Sequence, residues 1–523
     1  MTGRGDPDSP ITGLTPCFAC DRWSLTAPPL LNFCRRLSCS AYSTPPRYPF
    51  SAIMKIKVLE RSAAQTLPQR SGDPSPRSRN LDPSLHPFAR AREYTRALTA
   101  AKMDRIYAKP FVAALEGHVD GVYTLAKDPG RLGVVGSGSG DGEIIVHHLP
   151  TRTQLRRIKA HEGIVSGLTF TRSRQILSCS VDRTIKLWEA DGDSDPLEQE
   201  EADEETAGPS TRRRAGAGAG AGVPVRTFMG KMAFNSVDHH RSEAQFASAS
   251  NVVQLWDETK TEPILNMRFG NGAETVLTVR FNQSETSVLG STGTDRTMCL
   301  YDVRTGKAER RVVMALRANA LSWHPTQPTV MLLASEDHNL YTFDVRNLAS
   351  PTQIYKDHVA AVMACDWTPT GRGFVSGGWD RTVRLWREGE GRSWEVYHGK
   401  RMQSRVFATQ YTADARFVLS GSDDGNVRVW KARASDKLGV VDGRERAARE
   451  YRAKLVEKWR HAPEVRKVER QRYLPKAIYS AGRLKREMER AGRGKEERRR
   501  AHTREGDRKP KAERRKVVLA EQE

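Results

Sequence analysis

Cysteine is scarce, with seven in 523 residues. Cys179, Cys299 and Cys365 each stand alone in a strand-like segment, which excludes a disulfide framework and reads as buried thiols of an intracellular protein. Cys17, Cys20, Cys34 and Cys39 follow C-x2-C-x13-C-x4-C, a spacing that four zinc-bound thiolates use. The Pro, Ser and Thr residues around them have neither strand nor helix period, so no metal is assigned there. Long apolar runs are also missing: no stretch of about 18 such residues occurs, and no membrane span is supported. Neither G-x-x-x-x-G-K-[ST] nor H-E-x-x-H is present. The run from Gly136 to Gly140 is expected in a turn between strands and opens no helix, so it makes no phosphate cradle. His239 and His240 are adjacent in a strand context and face opposite sides, so they do not chelate together. No cofactor, small-molecule substrate or enzymatic activity is expected.

What the chain has is a repeat. Aspartate precedes an aromatic or histidine by six residues at Asp141/His147, Asp182/Trp188, Asp295/Tyr301, Asp337/Phe343, Asp380/Trp386 and Asp424/Trp430, and Ser250/Trp256 completes a seventh frame. The landmarks are 41, 68, 45, 42, 43 and 44 residues apart. Such a period marks a β-propeller, whose four-stranded blades bury their faces only by stacking on neighbours. The fold class is therefore all-β: a seven-bladed propeller over 111–431, with Phe111 to Leu115 expected to complete the last blade and remove an open edge.

The flanks differ in composition. Residues 1–53 read as disordered, weakly like a transit peptide, or as an extension upstream of a start at Met54. Within 54–110, residues 61–87 are a Pro/Ser/Arg-rich connector, and Tyr94, Leu98, Ala101 and Ile106 then recur at helical spacing before Pro110. The long interval contains ten acidic and no basic residues from Glu189 to Glu205, then an Ala-Gly run to Gly222. It predicts a disordered insertion over 189–226.

After Trp430 Gly, Thr and Val thin out and helix formers take over. Residues 431–523 hold 31 basic and 16 acidic side chains, a net of +15. Within 432–490 a helical domain is expected: Asp442 and Glu445 resemble a capping box, and Ala447, Tyr451, Leu455 and Trp459 form a stripe facing the propeller or another helix. Residues 491–523 read as a basic disordered tail. Arg466, Lys467, Arg470, Arg472 and Lys476 interleave with Tyr473 and Tyr479, a pattern in which cations neutralise phosphates and rings stack on bases. The other reading is a solvated charged face.

Two groups, His161, Ser178, Asp182 and Trp188, and His358, Ser376, Asp380 and Trp386, imitate a Ser-His-Asp constellation. Repetition at one spacing argues instead for a hydrogen-bonded tie within each blade, since catalysis needs one set in one cleft. Serine recurs ten residues before the landmark at Ser137, Ser178, Ser291, Ser376 and Ser420. Phe246 and Leu333 take that place in the third and fifth repeats, which are expected to rely on packing.

Specific motifs sit around this repeat: Asn80-Leu81-Asp82-Pro83-Ser84-Leu85-His86-Pro87-Phe88, Arg92-Glu93-Tyr94-Thr95-Arg96-Ala97-Leu98, Ala108-Lys109-Pro110-Phe111, Ser435-Asp436-Lys437-Leu438-Gly439 and Leu474-Pro475-Lys476-Ala477-Ile478-Tyr479. With them, residues 54–490 resemble the Sof-type (suppressor of fibrillarin) WD-repeat proteins. The resemblance implies a nuclear, nucleolar scaffold of the small-subunit processome, associated with processome proteins, U3 small nucleolar RNA and 18S pre-rRNA, and required for 18S rRNA maturation. It also implies an alternative, a substrate receptor of a cullin-4 ubiquitin ligase, which docks its adaptor through aromatic-Asp-x-Arg turns. Here those are Tyr301-Asp302-Val303-Arg304 and Phe343-Asp344-Val345-Arg346, so Asp302, Arg304, Asp344 and Arg346 are the docking candidates. A third reading, a chromatin-binding propeller, requires an acidic central pore. The N-terminal 53 residues, the acidic insertion and His147 in place of an aromatic depart from the family pattern.

Overall fold

The computed structural model describes residues 82–190, 223–268, 275–399, 404–504, 509–510 and 512–522. The four N-terminal cysteines, Met54 and most of the acidic insertion lie outside them. Strands form seven antiparallel sheets in sequence order around a ring. Blades 1 to 6 span 122–159, 165–229, 236–267, 276–314, 318–356 and 362–397, and blade 7 spans 406–431. Phe111–Leu115 pairs antiparallel with Val427–Lys431 and supplies the outermost strand of blade 7, so the two ends of the ring close by hydrogen bonds.

Each blade is apolar on both faces and is covered by its neighbours, which is why the repeat folds only as an array. One core cluster joins Leu332, Ala334 and Leu340 of blade 5 to Val362, Trp367, Phe374 and Trp386 of blade 6. Another joins Val375, Leu385 and Tyr397 of blade 6 to Val406, Tyr411 and Trp430 of blade 7. The glycine-rich run is not a turn, since Val134–Ser139 is a fully buried strand. A β-carbon on Gly138 would lie 2.5 Å from Thr124 Oγ1 and 2.7 Å from Val165 Cγ1. Glycine there lets the first strand of blade 2 approach closely.

The inner strands line a cavity of about 930 Å³. Its lining carries Lys127, Arg172, Arg241 and Arg280 against Asp128, Asp238 and Asp366, and two pairs bridge blades: Lys127 Nζ is 3.3 Å from Asp366 Oδ2, and Arg280 Nη1 is 3.1 Å from Asp238 Oδ1. The acidic pore that a chromatin-binding propeller needs is therefore not formed by these residues.

Among the described residues, four α-helices accompany the ring: α1 (Ala89–Ile106), α2 (Gly443–Lys458), α3 (Pro463–Glu469) and α4 (Lys476–Ala501). The stripe on α2 meets a helix that precedes the propeller. Leu455 and Val465 are buried against Ala97 and Ala101, with Tyr94 and Trp459 beside them. The rings of Tyr94 and Trp459 meet edge to face at 5.4 Å, and Tyr94 Oη donates to Glu464 Oε2 at 2.7 Å. Asp442 is the N-cap of α2 but makes no side-chain cap. Glu445 instead accepts from Lys437 at 3.1 Å and Arg449 at 3.0 Å. The capping box is outcompeted by two cations.

The end of the chain also departs from expectation. α4 continues to Ala501, and Val518–Gln522 forms a fifth strand on the outer edge of blade 4, pairing with Lys307–Met314. Val517 is buried in a cluster with Met314, Val312 and Met298. The short apolar run Val517-Val518-Leu519 has nothing local to pack on, but an open sheet edge supplies both hydrogen bonds and a hydrophobic ledge.

Candidate functional site

In blades 2 and 6 the landmark tryptophan, the strand serine and the histidine before the first strand are brought into line. Trp188 Nε1 donates to Ser178 Oγ at 3.0 Å, Ser178 Oγ is 2.8 Å from His161 Nε2, and His161 Nδ1 is 2.8 Å from Asp182 Oδ2. In blade 6, Trp386 Nε1 to Ser376 Oγ is 2.7 Å, Ser376 Oγ to His358 Nε2 is 2.7 Å, and His358 Nδ1 to Asp380 Oδ2 is 2.9 Å. Burial lowers the pKa of His358, although Asp380 pulls the other way. Burial also opposes ionisation of Asp380, but His358, Arg384 and Thr382 outweigh it and its pKa falls far below the ordinary carboxylate value. Neutral imidazole against ionised carboxylate follows, with the hydrogen bonds assigning N–H to Nδ1. Ser178 and Ser376 are wholly buried, so neither hydroxyl has access to an incoming carbonyl.

The other blades show how far this wiring varies. Blade 7 keeps Trp430 Nε1 to Ser420 Oγ at 2.8 Å and lets Arg428 bind Asp424 and Ser422. Blade 3 lacks the serine ten residues before Trp256, yet Trp256 Nε1 donates to Ser248 Oγ at 2.9 Å. Ser248 lies only eight residues before the landmark, and a search at fixed spacing misses it. In blade 1, His118 Nε2 meets Ser137 Oγ at 2.7 Å, while His118 Nδ1 and His147 Nε2 are buried without partners among the described residues. His239 pairs with Glu258 at 2.7 Å while His240 Nδ1 accepts from Glu243 N at 2.9 Å, so the two imidazoles serve different neighbours. Burial pushes the Cys179 thiol up to about 12 and raises that of Cys365 as well.

Arg304 and Arg346 occupy equivalent turns after the third strands of adjacent blades. Their side chains are 79% and 74% exposed, on one side of the ring. In each turn the aspartate accepts the arginine's own backbone N–H, at 2.9 Å for Asp302 and 3.1 Å for Asp344. The Arg346 guanidinium also forks onto Asp344, at 2.7 and 3.1 Å, and holds that carboxyl below its usual range. Arg304 Nε stands 3.6 Å from Asp302 Oδ1. Blade 4's outer strand reaches the second turn through Arg310, whose Nη1 donates to Val345 O at 3.3 Å and lies 3.9 Å from Glu521 of the C-terminal strand.

The candidate RNA-contacting residues separate into two sets. Arg466 and Lys467 on α3, Arg470 at its C-cap, and Lys476 at the start of α4 are exposed, as are Tyr473 and Tyr479 at 83% and 60%. Arg472 turns inward. Its Nη1 donates to Glu469 O at 2.6 Å, its Nε has no partner among the described residues, and burial beside Arg105 lowers its pKa to about 10. Arg105 donates to Glu395 Oε1 at 3.0 Å and to Glu469 O at 2.5 Å. Arg472 thus belongs to the joint between α1, α3 and blade 6. Sequence reasoning grouped it with its neighbours because charge alone carries no direction.

Fold and surfaces together define a WD-repeat β-propeller scaffold. The WD domain, G-beta repeat family matches residues 152–189, 349–387 and 394–431, and the Sof1-like domain matches 432–518. The chain is 40% identical over 470 residues to DDB1- and CUL4-associated factor 13 of Xenopus laevis, covering 89% of this chain and 99% of that one. The Homo sapiens protein of the same name is 40% identical over 468 residues, covering 89% and 99%. Protein SOF1 of Saccharomyces cerevisiae is 39% identical over 445 residues, covering 83% and 88%. The chain belongs to this Sof1-like family of WD-repeat proteins.

Proposed function

We propose that this protein is a non-enzymatic scaffold of the small-subunit processome in the nucleolus, associated with U3 small nucleolar RNA and 18S pre-rRNA and required for 18S rRNA maturation. The observation that carries the reading is the exposed basic surface of the Sof1-like segment, set on a helical joint that fixes it to the propeller. The Ser-His-Asp-Trp networks act as blade ties, since their hydroxyls are sealed and they recur. The ring presents partner surfaces, and the exposed cations lie against RNA or its protein sheath. The test is to purify the tagged protein from its own cells at moderate and high salt and to sequence the RNA that accompanies it. Enrichment of U3 and 18S precursors that weakens with salt supports the reading; no enrichment at either salt removes it.

A second reading, substrate receptor of a cullin-4 ubiquitin ligase, is favoured by the exposure of Arg304 and Arg346 at equivalent turns and by the names of the animal relatives. Planar guanidinium forks there suit an acidic adaptor surface. The double variant Arg304→Ala/Arg346→Ala separates the readings: it leaves particle association intact if the protein is a processome scaffold and abolishes adaptor capture if it is a ligase receptor. Charge reversal at Arg466, Lys467 and Arg470 does the opposite.

A further inference from the structure

α4 presents three faces. Ile478, Gly482 and Lys485 are half-buried; Lys485 Nζ donates to His358 O at 3.0 Å, and a β-carbon on Gly482 would sit 3.9 Å from Val359. This face holds the helix on blade 6. Leu484 and Met488 occupy a second, exposed face. The third carries Lys476, Tyr479, Arg483, Arg486, Arg490 and Arg493, at successive steps of three, four, three, four and three residues. That spacing puts them in one row, about 25 Å long at about 1.5 Å of rise per residue. All six are exposed.

The row works against the helix that bears it. Arg483, Arg486, Arg490 and Arg493 place like charges at three- and four-residue spacing, where they repel. No acidic residue occupies the first turn, so Lys476 opposes the positive end of the helix dipole. Glu487, four residues after Arg483 and three before Arg490, and Glu489, three after Arg486 and four before Arg493, flank the row. Glu487 accepts from Arg483 at 3.1 Å, whereas Arg486 and Arg493 use Nε on carbonyls of their own helix, Gly482 O at 3.1 Å and Glu489 O at 3.4 Å. Among the described residues, Arg486, Arg490 and Arg493 form no ion pair. Of the row's four arginines only Arg483 closes an ion pair on the helix, and a partner rich in negative charge would engage the others.

We infer that this face of α4 is a rail for the phosphate backbone of double-helical RNA, which rests on the processome reading and gives it a contact surface. Guanidinium groups one helical turn apart on a rigid rod match the regularly spaced phosphates of an A-form duplex, recognised by shape and backbone rather than by base edges. The row contains one aromatic, Tyr479, too few for the ring-on-base stacking that single-stranded RNA binding uses.

The test uses the full chain and fluorescence anisotropy with a 20-base-pair RNA duplex and a single strand of equal length, each titrated with salt. The variant Arg483→Gln/Arg486→Gln/Arg490→Gln/Arg493→Gln is compared with Leu484→Ala/Met488→Ala, with circular dichroism to check that both retain the helix. The expected result is a duplex preference, with affinity falling by about ten- to a hundredfold in the arginine variant alone. The slope of log affinity against log salt falls by about three to four units, because each lost phosphate contact removes roughly 0.9. An unchanged slope, a preference for the single strand, or displacement of the duplex by a polyglutamate chain at equal charge would overturn the rail. Recovery of U3 and 18S precursors from cells alongside any of these results leaves the scaffold reading standing and removes only the rail.

Discussion

Blade 1 is predicted to be the acid-sensitive blade, and replacing His147 tests it. Burial lowers both His118 and His147 from 6.5 to about 4, with Arg157 adding to the effect on His118 and His118 adding to that on His147. In the unfolded chain both rings protonate through about 6.5, while in the folded protein they stay neutral until near 4. Stability from this source is complete above the unfolded value and is lost as pH falls toward the folded one. For one such histidine, going from pH 7.5 to 5.0 costs about 2 kcal/mol, and for the pair about 4 kcal/mol. His147→Phe puts in blade 1 the residue type that blade 5 uses at Phe343 and removes one of the two titrations. Urea unfolding of both proteins at the two pH values gives the result as a difference of differences, in which His161 and His358 cancel. The variant should lose about 2 kcal/mol less than the parent on acidification. At pH 7.5 it should be at least as stable, because the unpartnered His147 Nε2 is gone. An identical acid loss in both proteins would refute the assignment.

The blade ties predict unequal costs for the same substitution. Ser376→Ala strands two buried groups, His358 and Trp386, and should cost about 2–4 kcal/mol, whereas Ser248→Ala strands only Trp256 and should cost about 1–2 kcal/mol, both read from denaturant midpoints. Equal losses would mean that the histidine adds nothing to the tie. Val517→Asp buries a charge in the ledge on which the last strand rests. Hydrogen exchange should then quicken at the Lys307–Met314 edge and stay unchanged in blades 1 and 2; no change at that edge would show that the strand does not protect it.

The propeller was legible because its determinants are local. Asp, Ser and the landmark recur inside a single blade, and the glycines, turns and β-branched runs that shape each strand lie within a few residues of it. What escaped depends on partners far away in sequence. Ser248 lies out of the usual spacing and is found only once Trp256 has a cross-strand neighbour. Leu455 and Trp459 signalled an apolar face but not that Ala97 and Tyr94, some 360 residues earlier, would cover it. Arg472 and Arg470 look alike as letters, and only Arg105 and Glu395 separate an internal guanidinium from an external one. The last strand is too short to carry a period, and its edge is specified by blade 4.

The Sof1-like segment is therefore a strap rather than an appendage. α1 leads into the strand that closes blade 7, and α2 and α3 pack on α1. Arg105 then binds Glu395 in the outer strand of blade 6 and Glu469 on α3, so the joint spans all three. From there α4 is fastened by Lys485 to the entry of blade 6. Glu513 reaches Lys356 of blade 5 at 2.5 Å, and the final strand reaches blade 4. A chain that only needed a basic tail could have left it free. Fastening it at successive blades fixes the bearing of the arginine row relative to the ring, which the proposed scaffold role requires, since a scaffold holds two surfaces at one angle. The cations that face inward, Lys485, Arg105 and Arg472, set that angle, and those that face outward are left for the partner.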